Sequence, residues 1–166
     1  MNRISWSAWL TLLVAAGTVR ADGPIQAPQV DRSPVDLVLS PDESWLVTAN
    51  QTSDTLSLVD VQSGRVIDEA PCGHRPAGLA LAPNGNRVLV TASYAGTLSV
   101  FEVAQEKLHP AGSLRLGFEP VGVAVSPDGK LAYVALESDA AVAVVEIDSL
   151  REAARIEVGR WPRYLT

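Results

Sequence analysis

The chain has 166 residues and one cysteine, Cys72. A single thiol forms no intrachain disulfide and cannot build a Cys-rich zinc or iron–sulfur site. Aromatic residues are scarce at 5%, and 13 Lys plus Arg face 19 Asp plus Glu, for a formal charge of −6. Electrostatic nucleic-acid binding needs a basic face, so the composition argues against that class and no nucleic-acid partner is expected. There is no Cys-x-x-Cys-His haem attachment, no His-Glu-x-x-His helix, no Gly-x-Ser-x-Gly elbow and no phosphate-cradling glycine loop. No complete nucleophile, base and orienter set is visible either. What is present is globular composition: 47% hydrophobic and 19% charged residues, with 12 Gly and 11 Pro.

The N-terminus reads as an export signal. Met1-Asn2-Arg3 supplies a positive start, residues 4–19 carry no charge, and Val19-Arg20-Ala21 offers aliphatic or small residues where a signal peptidase reads. The apolar stretch falls short of the roughly 20 residues needed to span a bilayer. The expectation is a signal peptide at 1–21 cleaved after Ala21, and an extracytoplasmic, periplasmic or secreted chain. No second long apolar run follows, so no membrane association is expected after cleavage. Residues 22–33, with Gly23, Pro24 and Pro28, read as a linker.

The remainder is one unit written repeatedly. Prolines recur at 34, 76, 120 and 162, in steps of 42, 44 and 42 residues. Seven residues after the first three stand Pro41, Pro83 and Pro127, each opening a turn: Pro41-Asp42-Glu43, Pro83-Asn84-Gly85 and Pro127-Asp128-Gly129. Proline presets φ in such turns and Gly accepts positive φ before the next strand. The repeats are 34–75, 76–119 and 120–161, with a stub at 162–166 that opens a fourth.

Each unit predicts four strands. The first (35–39, 77–81, 121–125) is nearly all apolar or Gly, the pattern of a strand buried on both faces. The second covers 45–49, 87–91 and 131–135. The third covers 55–61, 97–103 and 141–147; it puts Leu56 and Leu58 on one side and small Ser57 on the other, with Ser99 and Ala143 matching Ser57. The fourth (65–70, 113–116, 153–158) is more polar, as an outer edge should be. Residues 149–155 read as a connecting loop with a short turn, and His109 as part of a late loop. A period of 40 to 45 residues with four strands predicts an all-β fold of β-propeller blades, each of four antiparallel strands. A β-sandwich does not explain fixed offsets over three units.

The third unit carries a family resemblance most fully: Gly117-Phe118-Glu119-Pro120, Ser126-Pro127-Asp128-Gly129 and Tyr133-Val134-Ala135-Leu136. This resembles the YVTN-type β-propeller repeat of surface and periplasmic proteins, with Ala-Leu where that repeat has Thr-Asn. The second unit has Gly73-His74-Arg75-Pro76 and Leu89-Val90-Thr91-Ala92; the first keeps Ser40-Pro41-Asp42 but has Glu43 for Gly. The resemblance implies the fold and little of the activity, because propellers host many functions. It extends to portions of cytochrome-linked and haem d1-type oxidoreductases, amine dehydrogenase heavy chains and lactonases.

Rings close with roughly 4 to 8 blades. Three units and a stub therefore imply the N-terminal part of a longer protein whose remaining blades close the ring, or a ring shared by two copies. The loop before each first strand and the loop between second and third strands should share one face. The ligand-binding candidates there are Cys72, His74, Arg75, Asn50, Tyr94, Phe118, Glu119, Arg160 and Trp161, with Glu137 nearby. Imidazole ligates metals or haem iron, or acts as a base, yet Cys72 with His74 is only half of a metal site. Arg75, Arg160 and Arg163 suit an anion, and Asp36 either lines the channel or bonds backbone amides. The leading expectation is a binding scaffold for an unidentified protein or small ligand, with no catalytic residue, metal or cofactor in this segment. The alternative is the propeller portion of an oxidoreductase, electron-transfer protein or lactonase, with haem in a longer parent protein.

Overall fold

A computed structural model describes residues 31–165. The signal segment at 1–21 and linker residues 22–30 lie outside them. Twelve strands form three sheets. The first holds β1 (Pro34–Leu39), β2 (Trp45–Asn50), β3 (Thr55–Asp60) and β4 (Arg65–Pro71). The second holds β5 (Pro76–Leu81), β6 (Arg87–Ala92), β7 (Thr97–Ala104) and β8 (Lys107–Arg115). The third holds β9 (Pro120–Val125), β10 (Leu131–Leu136), β11 (Ala141–Glu146) and β12 (Arg151–Glu157). Every sheet is an antiparallel meander in chain order. These are blades of the propeller type.

The turn chemistry sets the first hairpin of each blade. Glu43, Gly85 and Gly129 donate their N–H groups to the carbonyls of Ser40, Ala82 and Ser126 at 2.9, 2.8 and 2.8 Å. All three sit at positive φ (58°, 75° and 73°), so Glu43 holds a left-handed conformation that costs a β-carbon residue more than Gly. Each blade also carries two register shifts, one between its first and second strands and one between its third and fourth. Bulges of this kind increase strand twist.

The hydrophobic core lies between blades rather than within them. Successive residues of a strand face opposite sides. Along β6, Val88 and Val90 join a cluster with Val47, Leu56, Leu58 and Leu79, whereas Leu89 joins Leu98, Val123, Val134 and Val145. Ser57, Ser99 and Ala143 are all buried on the tight side of the third strands. The inner strands approach so closely that a Cβ at Gly78 would run into the backbone carbonyl of Val121, and one at Gly122 into that of Arg163.

Four expectations are corrected. The stub after Pro162 forms no strand: each first strand pairs with the second strand of its own blade, and among the described residues 162–165 have no such partner. The first strand of the first blade is not buried on both faces; Val35, Leu37 and Leu39 are exposed because only one neighbouring blade covers them. Strand β12 begins at Arg151, inside the stretch 149–155 read as a connecting loop, and it covers most of the fourth strand expected at 153–158, held by pairing with β11. His109 lies in β8, which is longer than expected; Pro110 fits there because it stands on an edge strand at a bulge, opposite Phe101. Among the described residues no helix is long and apolar enough to cross a membrane.

Candidate functional site

The residue before each opening proline is left-handed: Ser33, Arg75, Glu119 and Trp161 have φ of 45°, 58°, 55° and 60°. This turns the chain sharply into each first strand and aims backbone groups at the neighbouring turn. Ser93 N–H donates to Arg75 O (2.8 Å), Glu119 N–H to Ser93 O (3.1 Å) and Glu137 N–H to Glu119 O (3.0 Å). The two sets of loops therefore do share one face, joined crest to crest by backbone hydrogen bonds.

Asp54 anchors the first crest. Its carboxylate accepts the Arg75 N–H at Oδ1 (2.7 Å), and its Oδ2 lies 2.8 Å from His74 Nδ1. The Arg75 amide, helped by His74, holds the Asp54 carboxyl below the usual carboxylate range. An ionised carboxylate only accepts, so His74 Nδ1 carries the proton and Nε2 is left as the free ring nitrogen. The ring of His74 meets Tyr94 edge-on at 5.5 Å between centroids, and Tyr94 stacks with Phe118 at 6.3 Å and 18°. The Arg75 guanidinium lies over Tyr94, 4.6 Å from its centroid, and its Nη1 donates to the Tyr94 hydroxyl at 2.6 Å.

Beside these crests opens a cavity of about 560 Å³. Asp36, Arg75, Glu119, Glu137 and Arg163 line it, together with Tyr94, Tyr164, Ser93 and the backbone of Gly78 and Gly122. Asp36 lines this cavity and bonds backbone amides as well: Leu37 N–H donates to Oδ1 (2.9 Å) and Leu79 N–H to Oδ2 (2.7 Å). Glu137 Oε1 accepts from Arg163 at 2.6 Å, and Glu119 accepts the Ser138 hydroxyl.

Of the residues singled out in the sequence, Arg75, Tyr94, Glu119 and Glu137 line the cavity, and His74 and Phe118 pack against Tyr94. Arg160 and Trp161 are exposed but do not line it. Cys72 and Asn50 turn inward. Cys72 fills the place of Leu116 in the next blade, as their N–H groups donate to the matching carbonyls of Asp54 and Gly96. Burial pushes its thiol up to about 12, so it behaves as a small apolar side chain. Asn50 donates to Thr55 Oγ1 (3.1 Å) and Ser57 Oγ (2.8 Å) and accepts from Thr48 Oγ1 (3.2 Å). Asp54, Gln51, Ser93 and Tyr164 escaped the sequence reading. Asp54 alone left a trace: it stands where the other units have Gly96 and Ala140 at the same turn. Among the described residues no group of three His, Cys, Asp or Glu side chains is arranged to hold a metal ion.

The three blades place the chain among propeller-like proteins, and solved structures agree. It is similar to hydrazine synthase of Kuenenia stuttgartiensis, with a TM-score of 0.75 and 26% identity over 86% of this chain and 42% of that one. A candidate 6-phosphogluconolactonase from Bacteroides fragilis gives 0.73 and 17% identity over 82% and 42%. A protein of unknown function from Desulfotomaculum acetoxidans gives 0.67 and 20% over 76% and 42%. The chain thus spans under half the length of each, and the latter two likenesses carry the fold alone. Comparison with family models and with curated protein sequences finds no match.

Proposed function

We propose that the chain is an exported propeller segment, of the YVTN type its repeats resemble, that binds a small ligand or a protein partner on its crest face. The observation that carries this reading is the cavity lined by Arg75, Tyr94, Glu119 and Glu137, with His74 and Phe118 packed on the Tyr94 ring. Concave sites with a few convergent polar groups beside aromatic surface are what ligands select. The three-part N-terminal pattern supports export to the periplasm or outside the cell. Further blades or a second copy would complete the ring. Amide chemical shifts recorded during a fragment screen test the reading. Shifts clustered at residues 74–75, 93–95, 118–119 and 137 support it; shifts confined elsewhere, or none, overturn it.

A second reading draws on the likeness to hydrazine synthase and to the lactonase candidate. In it, this segment is the propeller portion of an oxidoreductase, electron-transfer protein or lactonase, and the catalytic groups lie elsewhere in the protein. A haem Soret band in the protein purified from its host favours this reading over the plain scaffold.

A further inference from the structure

We infer that copies of this chain associate head to tail, the open face of the first blade in one copy packing on the open face of the third blade in the next. This deepens the completing role of a second copy proposed above and needs nothing bound at the crest. No large aliphatic side chain of the second blade is exposed, whereas five in the first blade and two in the third are. They are not scattered. Leu37 and Leu39 hold the places of Leu79 and Leu81, and of Val123 and Val125, which pack against the preceding blade. Ile156 and Val158 hold the places of Leu114 and Leu116, which pack against the following blade.

The molecule therefore presents one leading face and one trailing face, and exposed apolar surface of this kind marks a contact site. Its two internal junctions show what fits each: a leading face takes the trailing face of another blade. A second copy supplies that partner with no further residue. Ile156 and Val158 would meet Leu37 and Leu39 as Leu114 and Leu116 meet Val123 and Val125.

The backbone fits in the same way. A Cβ on Gly78 would meet the Val121 carbonyl of the next blade, and one on Gly122 meets that of Arg163. Val35, Val121 and Arg163 each follow an opening proline. Residues 162–165 thus lie where β1 of a second copy would go, held by the ion pair of Arg163 with Glu137 at 2.6 Å. They bring no second strand and leave Ile156 and Val158 exposed. Strand β1 arrives as part of a whole sheet and covers them. The tail competes with the copy, so association is weak and copies separate on dilution.

Sedimentation velocity of the full chain over a wide concentration range is the test. Oligomers that grow with concentration are expected, as for a contact between unlike faces. Leu37→Glu and Ile156→Glu, both at exposed positions, should each weaken association about tenfold or more by placing a charge in an apolar contact. The melting curve of the dilute chain should not change. Mixed together, the two variants should form a one-to-one pair and go no further, because each keeps the face the other lacks. Arg163→Ala frees the tail from Glu137 and should tighten association about threefold. The inference is overturned by a chain that stays monomeric, by association that only one substitution or neither weakens, by variants that do not pair when mixed, or by an Arg163→Ala chain that associates no more tightly. Each of those outcomes leaves crest binding standing, which the amide shifts test separately.

Discussion

Leu37 and Leu79 occupy the same place in successive blades, three residues after the opening proline. Leu79 is 7% exposed and Leu37 is 59% exposed. The residue type, the strand and the pairing are the same; the number of flanking blades is not. The second blade is sandwiched, so both faces of β6 and β7 enter a core. The first blade is covered on one side, and its inner strand keeps an apolar face in water. In this architecture apolar burial is supplied by neighbours, as expected of repeats that cannot bury their faces alone.

The largest effect should come from filling the space between inner strands. Gly78→Val places a Cβ against the Val121 carbonyl, a backbone group that cannot swing aside. A loss of about 3 kcal/mol or more is expected in denaturant unfolding. At the equivalent position of the first blade a side chain is already present, and Asp36→Ala should cost only about 1–2 kcal/mol through the lost bond to Leu79 N–H. Equal costs would mean the strands do not approach as described. Next comes the leucine pair. Leu79→Ala should destabilise by about 2–4 kcal/mol, and Leu37→Ala by no more than about 0.5 kcal/mol. Similar losses at both positions would show that the first blade is covered in solution.

Glu43→Gly tests the turns. It replaces the one β-carbon residue in a position where the other blades use Gly85 and Gly129. A gain of about 1 kcal/mol is expected, read as a higher melting temperature. The smallest effect is a pH dependence of the contact between the first two blades. The Leu108 amide, then Lys107, holds the Asp68 carboxyl below its usual range, and the Arg75 amide does so for Asp54. Lowered folded-state values mean these groups stabilise above the unfolded carboxyl pKa of about 4. That contribution is lost as pH falls through the folded values. The melting temperature should therefore be level from pH 8 to 5 and decline below about 4, with a shallower decline in Asp68→Asn.

The opening prolines, the proline-led turns and the alternating third strands made the three four-stranded units and their strand order legible in the chain. The crest loops were less so. Cys72 and Asn50 look like exposed polar residues in the chain, but each fills a slot that is buried in the neighbouring blade, where Leu116 and Ala92 stand. Asp54 looks like a turn residue, and its partners are 20 and 21 residues away at His74 and Arg75. No local pattern reports such a bond.

Local chemistry was enough to determine the repeat, its turns and its four strands, because φ preferences and two-residue periodicity act within a few residues. Which apolar faces are covered, which charged side chains pair and which rings meet were decided only by how the chain packs in three dimensions. Those outcomes depend on groups from about half a repeat to a whole repeat apart in the chain, which no pattern of a few residues brings together.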